Sequence, residues 1–278
     1  MAIKAIALDI DGTLTNDRKV ITPRTKEALL AAQDSGVKLI LSSGRPVQGL
    51  RAIASELELE AHDGLLVAFN GAHVVDAQTD EVLYDRPIDV DTLRALVEHV
   101  REFDVIPWIT QGRELFVERG SRHVIRYRGE DFDIVEYERR HCDLILHEVD
   151  DLLEVCGTPQ DKLLCAGEPE YLQESWRAMS EPFDGSLSSM FTADFYYEFM
   201  APGIDKGRAL AGALPKLGID ASEVVAFGDG QNDVSMIEWA GVGVAMANAV
   251  DEAKAASNMV TASNNDDGIA LALEKILG

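Results

Sequence analysis

Short apolar runs alternate with helix-length segments at both ends of the chain, and that rhythm leaves few architectures open. Residues 3–8 read as a strand. Thr22-Pro23 follow as N-cap and first helical residue, Ala28, Leu29 and Ala32 supply an apolar stripe, and Gly36 ends the helix. Residues 37–41 form a second buried strand, and another crossover leads to the apolar run 65–69, which closes at Asn70-Gly71. Late in the chain the rhythm returns: helix 206–217, strand 224–227, helix 234–240, strand 242–245, helix about 250–256, the pair Met259-Val260, and a last helix over 268–277. Repeated β-α-β units of this kind predict an α/β fold with a doubly wound parallel sheet.

Between about Leu83 and Phe191 the character changes. Helical segments at 90–103 and 171–179 are interspersed with alternating stretches at 114–118 and 162–166, the pattern of an α+β module with an antiparallel sheet. We therefore expect an insertion, residues 83–191, dividing one α/β core into 1–82 and 192–278. A length of 278 residues suits two domains.

The formal charge of −24 argues against a nucleic-acid backbone or an anionic membrane as partner. No apolar stretch reaches the roughly 18 residues of a membrane span. The N-terminal Met-Ala-Ile-Lys-Ala-Ile runs directly into the first strand, without the pattern of a cleavable leader. Three cysteines, Cys142, Cys156 and Cys165, lack metal-type spacing and fit a reducing compartment, so a cytoplasmic protein is expected. His141, Cys142 and His147 are read as packing or surface residues rather than a metal set. Monomer and small homo-oligomer both remain open.

Polar clusters follow or adjoin the core elements: Asp9 and Asp11 after the first strand, Ser42-Ser43-Gly44-Arg45 after the second, Lys206 at a helix start, and Asp229-Gly230-Gln231-Asn232-Asp233 after strand 224–227. In a parallel sheet all strand carboxyl ends share one edge, where such clusters converge. Convergence would suit phosphoryl transfer. One carboxylate of the Asp9/Asp11 pair can attack phosphorus while the other handles a proton. A divalent ion held by Asp9 and Asp229 would offset the repulsion between carboxylate and phosphate. Lys206 supplies further positive charge, and Ser43 with the amides around Gly44 can hydrogen-bond phosphate oxygens at a helix N-terminus.

These clusters resemble, in order, the four motifs of the haloacid-dehalogenase superfamily of phosphohydrolases. Ser43-Gly44-Arg45-Pro46, Phe69-Asn70-Gly71-Ala72 and residues 243–249 (Gly-Val-Ala-Met-Ala-Asn-Ala) resemble its Cof-type branch with a class IIB cap. The resemblance spans essentially the whole chain and implies a magnesium-dependent phosphatase of sugar phosphates and other small phosphomonoesters. It implies Asp9 as the nucleophile forming an aspartyl-phosphate and Asp11 as general acid, then base. Ser43, Lys206 and Asn232 would bind phosphate. Magnesium would be held by the Asp9 side chain, the Asp11 backbone carbonyl and Asp229, with Asp233 steering metal-bound water. Ser43 stands where the family more often has threonine, and the hydroxyl is kept.

Rival readings attach to single residues. Lys206 is an ordinary first-turn lysine in the bland reading, although helix N-termini disfavour cations, and Asp233 a helix-start carboxylate. Ser43 can cap the following helix. Asn70-Gly71 is a good turn dipeptide as well as a possible substrate contact, and Arg45 a solvated salt bridge as well as a site residue. Arg113, Arg119, Arg122, Arg126 and Arg128 crowd one stretch of the insertion and are expected to form a solvated face paired with the acidic residues 130–138 rather than an anion funnel. A hexose phosphomutase built on the same phosphoaspartate and a non-catalytic phosphosugar-binding regulator are the alternatives in function.

Overall fold

The structure, a computed structural model, describes residues 2–278. Its first stretch contains strands β1 (Ala5–Leu8), β2 (Lys38–Ser42), β3 (Leu65–Ala68), β4 (His73–Asp76) and β5 (Val82–Asp85), with helices α1 (Pro23–Asp34) and α2 (Arg51–Glu56) in the crossovers. Local chemistry sets these boundaries. The Thr22 side chain accepts from Thr25 N at the start of α1, Pro23 occupies its first turn, and Gly36 leaves it with φ of 92°.

The middle stretch holds α3 (Val90–Val100), β6 (Ile106–Gln111), β7 (Glu114–Glu118), β8 (Val124–Tyr127), β9 (Glu130–Asp133), α4 (Ile134–His141), β10 (Ile145–Val149), β11 (Lys162–Ala166), α5 (Pro169–Ser180), β12 (Ser188–Ala193) and β13 (Tyr196–Met200). Then come α6 (Lys206–Ala213), β14 (Val224–Gly228), α7 (Val234–Trp239), β15 (Val242–Ala245), α8 (Asp251–Ala256), β16 (Met259–Val260) and α9 (Gly268–Leu277).

The chain forms two units, one of residues up to Asp85 with Asp205–Gly278, the other Arg86–Ile204. In the first, an eight-stranded sheet has the order β16-β15-β14-β1-β2-β3-β4-β5. β1 lies parallel between β14 and β2, with Leu8 opposite both Phe227 and Leu41, so the loops after these strands leave the same sheet edge. Ala5, Ala7, Ile40 and Val224 meet Ala209, Leu210, Ala213 and Met236 of α6 and α7 on one face. The alternate residues Ile6, Leu8 and Leu39 point to the opposite face and are fully buried, and α1, in the β1-to-β2 crossover, packs on α9.

The second unit has a six-stranded sheet, β10-β7-β6-β11-β13-β12, antiparallel except for β10 with β7, and a separate β8–β9 hairpin. Its two cores, one around Leu96, Leu163 and Phe199 and one around Trp108, Leu164 and Ile134, lie wholly within residues 86–204.

Two sequence readings need correction. Beyond β3 the core sheet turns antiparallel: Asp76 accepts hydrogen bonds from Gln78 N, Thr79 N and Thr79 Oγ1 (2.9, 2.8 and 3.0 Å) and reverses the chain into β5, so the core reaches Asp85 rather than residue 82. At the other junction, residues 192–204 belong with the insertion. The run Tyr196–Met200 is buried throughout and reads as a core strand, yet it pairs with β11 and β12.

Candidate active site

Each acidic group is delivered by a loop at the shared sheet edge. Asp9 continues β1 by donating its N–H to Phe227 O (3.0 Å). Gly12 then turns the chain at φ of 91°. A Cβ there would stand 2.3 Å from Asp229 Oδ2, so only glycine allows the two acidic loops to touch. Thr13 Oγ1 donates to Asp229 Oδ1 at 2.6 Å and orients that carboxylate. Asp233 Oδ2 accepts from the amides of Asp229 and Gly230, 2.9 Å each, and closes its own loop.

Lys206 opens α6 behind the N-cap Asp205 and is fully buried. It donates to Asp9 Oδ1 (2.7 Å), Asp233 Oδ1 (2.6 Å) and Ser42 O (3.0 Å), which uses all three of its N–H groups. This is no first-turn surface lysine. Any help it gives to an incoming phosphate is therefore by charge, not by a spare donor.

Oxygens of Asp9, Asp229 and Asp233 all lie within 4.8 Å of one another. With all three carboxylates ionised, the one Lys206 ammonium leaves a surplus of two negative charges that a divalent cation would balance, and the hard oxygen donors suit such an ion. Burial and this crowding of charge together set the titration of the cluster. Burial pushes the Asp9 carboxyl up to about 8, with Asp233 adding to the effect and Lys206 opposing it. Burial raises Asp229 too, against the Thr13 hydrogen bond. For Lys206 burial works downward, but Asp233 and Asp9 outweigh it and hold the ammonium charged.

Asp11 points to a wetter place. Arg45 grips its Oδ2 through Nη2 (2.6 Å) and Nε (3.1 Å), and Lys19 its Oδ1 (2.8 Å). Partial burial works upward on this carboxyl, but Arg45 and Lys19 prevail and hold it below the usual range. Arg45 thus makes an ion pair, one that lies directly on a candidate site residue.

Ser43 is buried after β2, with its N–H on Val67 O (2.9 Å) and its carbonyl accepting from Asn70 N (2.9 Å). No helix begins there: the next helical turn, Val47–Leu50, starts beyond Pro46 and has no side-chain cap, so the readings of Ser43 as a cap and of a helix N-terminus at Gly44 do not hold. Pro46 is the physical reason, since the residue before a proline is driven away from helical geometry. The Ser43 hydroxyl instead accepts from Arg45 N at 3.3 Å. Asn70 sits in the left-handed region (φ 55°) and accepts from Asn232 Nδ2 at 3.1 Å. Its own Nδ2 is buried without a partner, 3.0 Å from where a Gly44 Cβ would be. An unmet donor between Gly44 and Asn232 is costly unless an acceptor arrives.

Thr13, Lys19 and Asn248 join the site without a role assigned from sequence. Thr13 adjoins the Asp-Gly turn, and Asn248 lies in the stretch 243–249, so both were within reach; Lys19 sits in an irregular loop without periodic signal. The arginines of the insertion are exposed and paired as a solvated face: Arg113 with Asp143, Arg119 with Asp150, Arg122 with Asp104. The acidic run 130–138 is used by Arg126, through Asp131, and by Arg139 and Arg140, through Glu136. Among the described residues His141, Cys142 and His147 form no metal cluster, and no helix is long and apolar enough to cross a membrane.

Comparison with known proteins agrees with this geometry. The sequence profile of the haloacid dehalogenase-like hydrolases matches residues 6–273. YxeH of Bacillus subtilis (strain 168), which carries a phosphatase name without a stated substrate, is 32% identical over 274 residues, 99% of this chain and 98% of its own. Pyridoxal phosphate phosphatase YbhA of Escherichia coli (strain K12) is 29% identical over 270 residues, 97% of each chain. A crystal structure of a haloacid dehalogenase-like hydrolase from Bacteroides thetaiotaomicron superimposes with a TM-score of 0.88 at 31% identity, covering 99% of both chains. The chain belongs to the haloacid dehalogenase-like hydrolase family and is an enzyme of its phosphatase class.

Proposed function

We propose that the protein is a magnesium-dependent phosphohydrolase of small phosphomonoesters, sugar phosphates foremost, that works through an aspartyl-phosphate. The reading rests on one observation: Asp9, Lys206 and the Asp229/Asp233 pair, from three separate stretches of sequence, meet in one cluster. Lys206 holds Asp9 Oδ1 and leaves Oδ2 to attack phosphorus. As the new P–O bond forms, the bond from phosphorus to the ester oxygen breaks, and Asp11 gives its proton to the departing alcohol.

Asp11 then takes a proton from water, which attacks phosphorus, releases inorganic phosphate and restores Asp9. The carboxylate form held by Arg45 and Lys19 is the form needed for this second step. For the first, Asp11 must leave Arg45 and acquire a proton. Asp9, the Asp11 backbone carbonyl and Asp229 would hold the magnesium ion, with Asp233 steering its water; when bound, the ion neutralises phosphoryl oxygens and fixes their orientation. Ser43, the Gly44 amide and Asn232 would take phosphate oxygens, with Asn70 offering its unpaired Nδ2.

The test is phosphate release from a panel of sugar phosphates, nucleotides and pyridoxal phosphate, with magnesium and with a chelator. Turnover that needs magnesium and disappears in Asp9→Asn is the expected result. Turnover that survives both would refute the mechanism, and isomerised sugar phosphate with little free phosphate would make the enzyme a mutase.

A further inference from the structure

We infer that Asn248 is a positioning residue for the cation cluster. The inference rests on the phosphatase reading above, in which Asp9 and Asp229 share a divalent ion. Asn248 touches none of the three carboxylates by any hydrogen bond, yet its Nδ2 donates to the Gly12 carbonyl at 2.7 Å, across 236 residues of sequence. Gly12 is the turn that folds the first acidic loop onto Asp229. Two residues further on, Val250 N donates to the Asp229 carbonyl at 2.9 Å, and Met246 N to the Gly228 carbonyl at 3.1 Å. One short segment, residues 246–250, therefore grips a backbone carbonyl on each of the two acidic loops.

The Asn248 amide is fixed at both ends. Its Oδ1 accepts from Asn264 N at 3.1 Å, and Asn264 Nδ2 donates in turn to Thr15 O at 3.0 Å, on the far side of the same turn. Exchanging the amide oxygen and nitrogen would set oxygen against the Gly12 carbonyl and NH2 against an N–H, so the orientation is unique. Loops that carry like charges repel until a cation arrives, and a neutral clamp on their backbones sets their spacing without adding charge. Residue 248 requires both a donor and an acceptor on one short side chain, which only asparagine among the neutral residues supplies at that length. Asn248 is itself exposed, so truncating it removes the clamp with little loss of buried surface.

The experiment is Mn2+ binding to substrate-free protein, followed by the paramagnetic resonance of the free ion, for wild type, Asn248→Ala, Asn248→Ser and Asp229→Asn, with thermal unfolding in chelator alongside. Asn248→Ala is expected to raise the Mn2+ dissociation constant about fivefold or more, the effect of losing the hydrogen bond to the Gly12 carbonyl, with nearly unchanged unfolding in chelator. Asn248→Ser, which keeps a donor, is expected to recover part of the affinity. A purely structural role would move the melting temperature and leave the dissociation constant alone. Asn248→Ala binding Mn2+ as wild type does, while Asp229→Asn loses it, would overturn this inference and leave the phosphatase reading in place. Wild type and Asp229→Asn binding alike would instead remove the cation site on which both depend.

Discussion

At the scale of single residues, the site is governed by a surplus of negative charge held away from water. Lys206 has no exposure and faces two carboxylates, so its removal would strand both in a medium that cannot solvate them. Lys206→Met should therefore destabilise the chelator-treated protein by about 3 kcal/mol or more, as measured by urea unfolding, with magnesium restoring part of the loss. A change below about 1 kcal/mol would mean that Asp9 and Asp233 find other compensation. Asn70 obeys the same logic with the opposite sign. Its buried amide donor is unmet, and an anion at Gly44 would satisfy it.

At the scale of elements, helix α4 carries a buried acid outside the site. Glu138 accepts from Tyr196 Oη on β13 at 3.0 Å and from Cys142 Sγ at 3.5 Å. Burial raises its pKa above the ordinary 4.5, although Lys162 and the Tyr196 hydrogen bond pull the other way. A raised carboxyl favours the folded state fully below 4.5, and that contribution disappears as pH climbs through the folded value. This contribution to stability should thus decline as pH rises above 4.5, and Glu138→Gln should flatten that part of the profile and be the more stable protein at alkaline pH. Identical profiles for the two proteins in chemical denaturation would contradict the buried-acid account. Nearby, Lys162 on β11 pairs with Glu198 on β13 at 2.7 Å, so the insertion carries a buried ion pair of its own.

At the scale of the whole molecule, the two units have separate cores. The cluster around Ile40, Val67 and Leu210 lies within the first unit, and those around Leu96 and Trp108 lie within the second. Residues 86–204 expressed alone should fold into a cooperative α+β domain, with native-like circular dichroism and a single sharp melt. A fragment without a cooperative transition would show that the insertion depends on the rest of the chain for its stability. The junction near Ile204 also shows the limit of reading domains from strands: residues 196–200 have the buried appearance of a core strand, and only their partners β11 and β12 assign them to the insertion.

Local signals carried much of this protein. The alternation of apolar runs and helix-length segments, the Thr22-Pro23 start and the polar clusters after β1, β2 and β14 are encoded within a few residues each, where periodicity and capping act. So the α/β core, the insertion and the groups gathered at one sheet edge could be read in advance. Tertiary structure alone decided who meets whom at the site: Lys206 with Asp9 across 197 positions, Asn248 with Gly12 across 236, Arg45 and Lys19 on Asp11. It also denied Ser43 a helix to cap and turned the sheet antiparallel after β3. Hydrogen bonds and ion pairs between distant segments depend on distances that only the packed chain defines, and no local pattern records them.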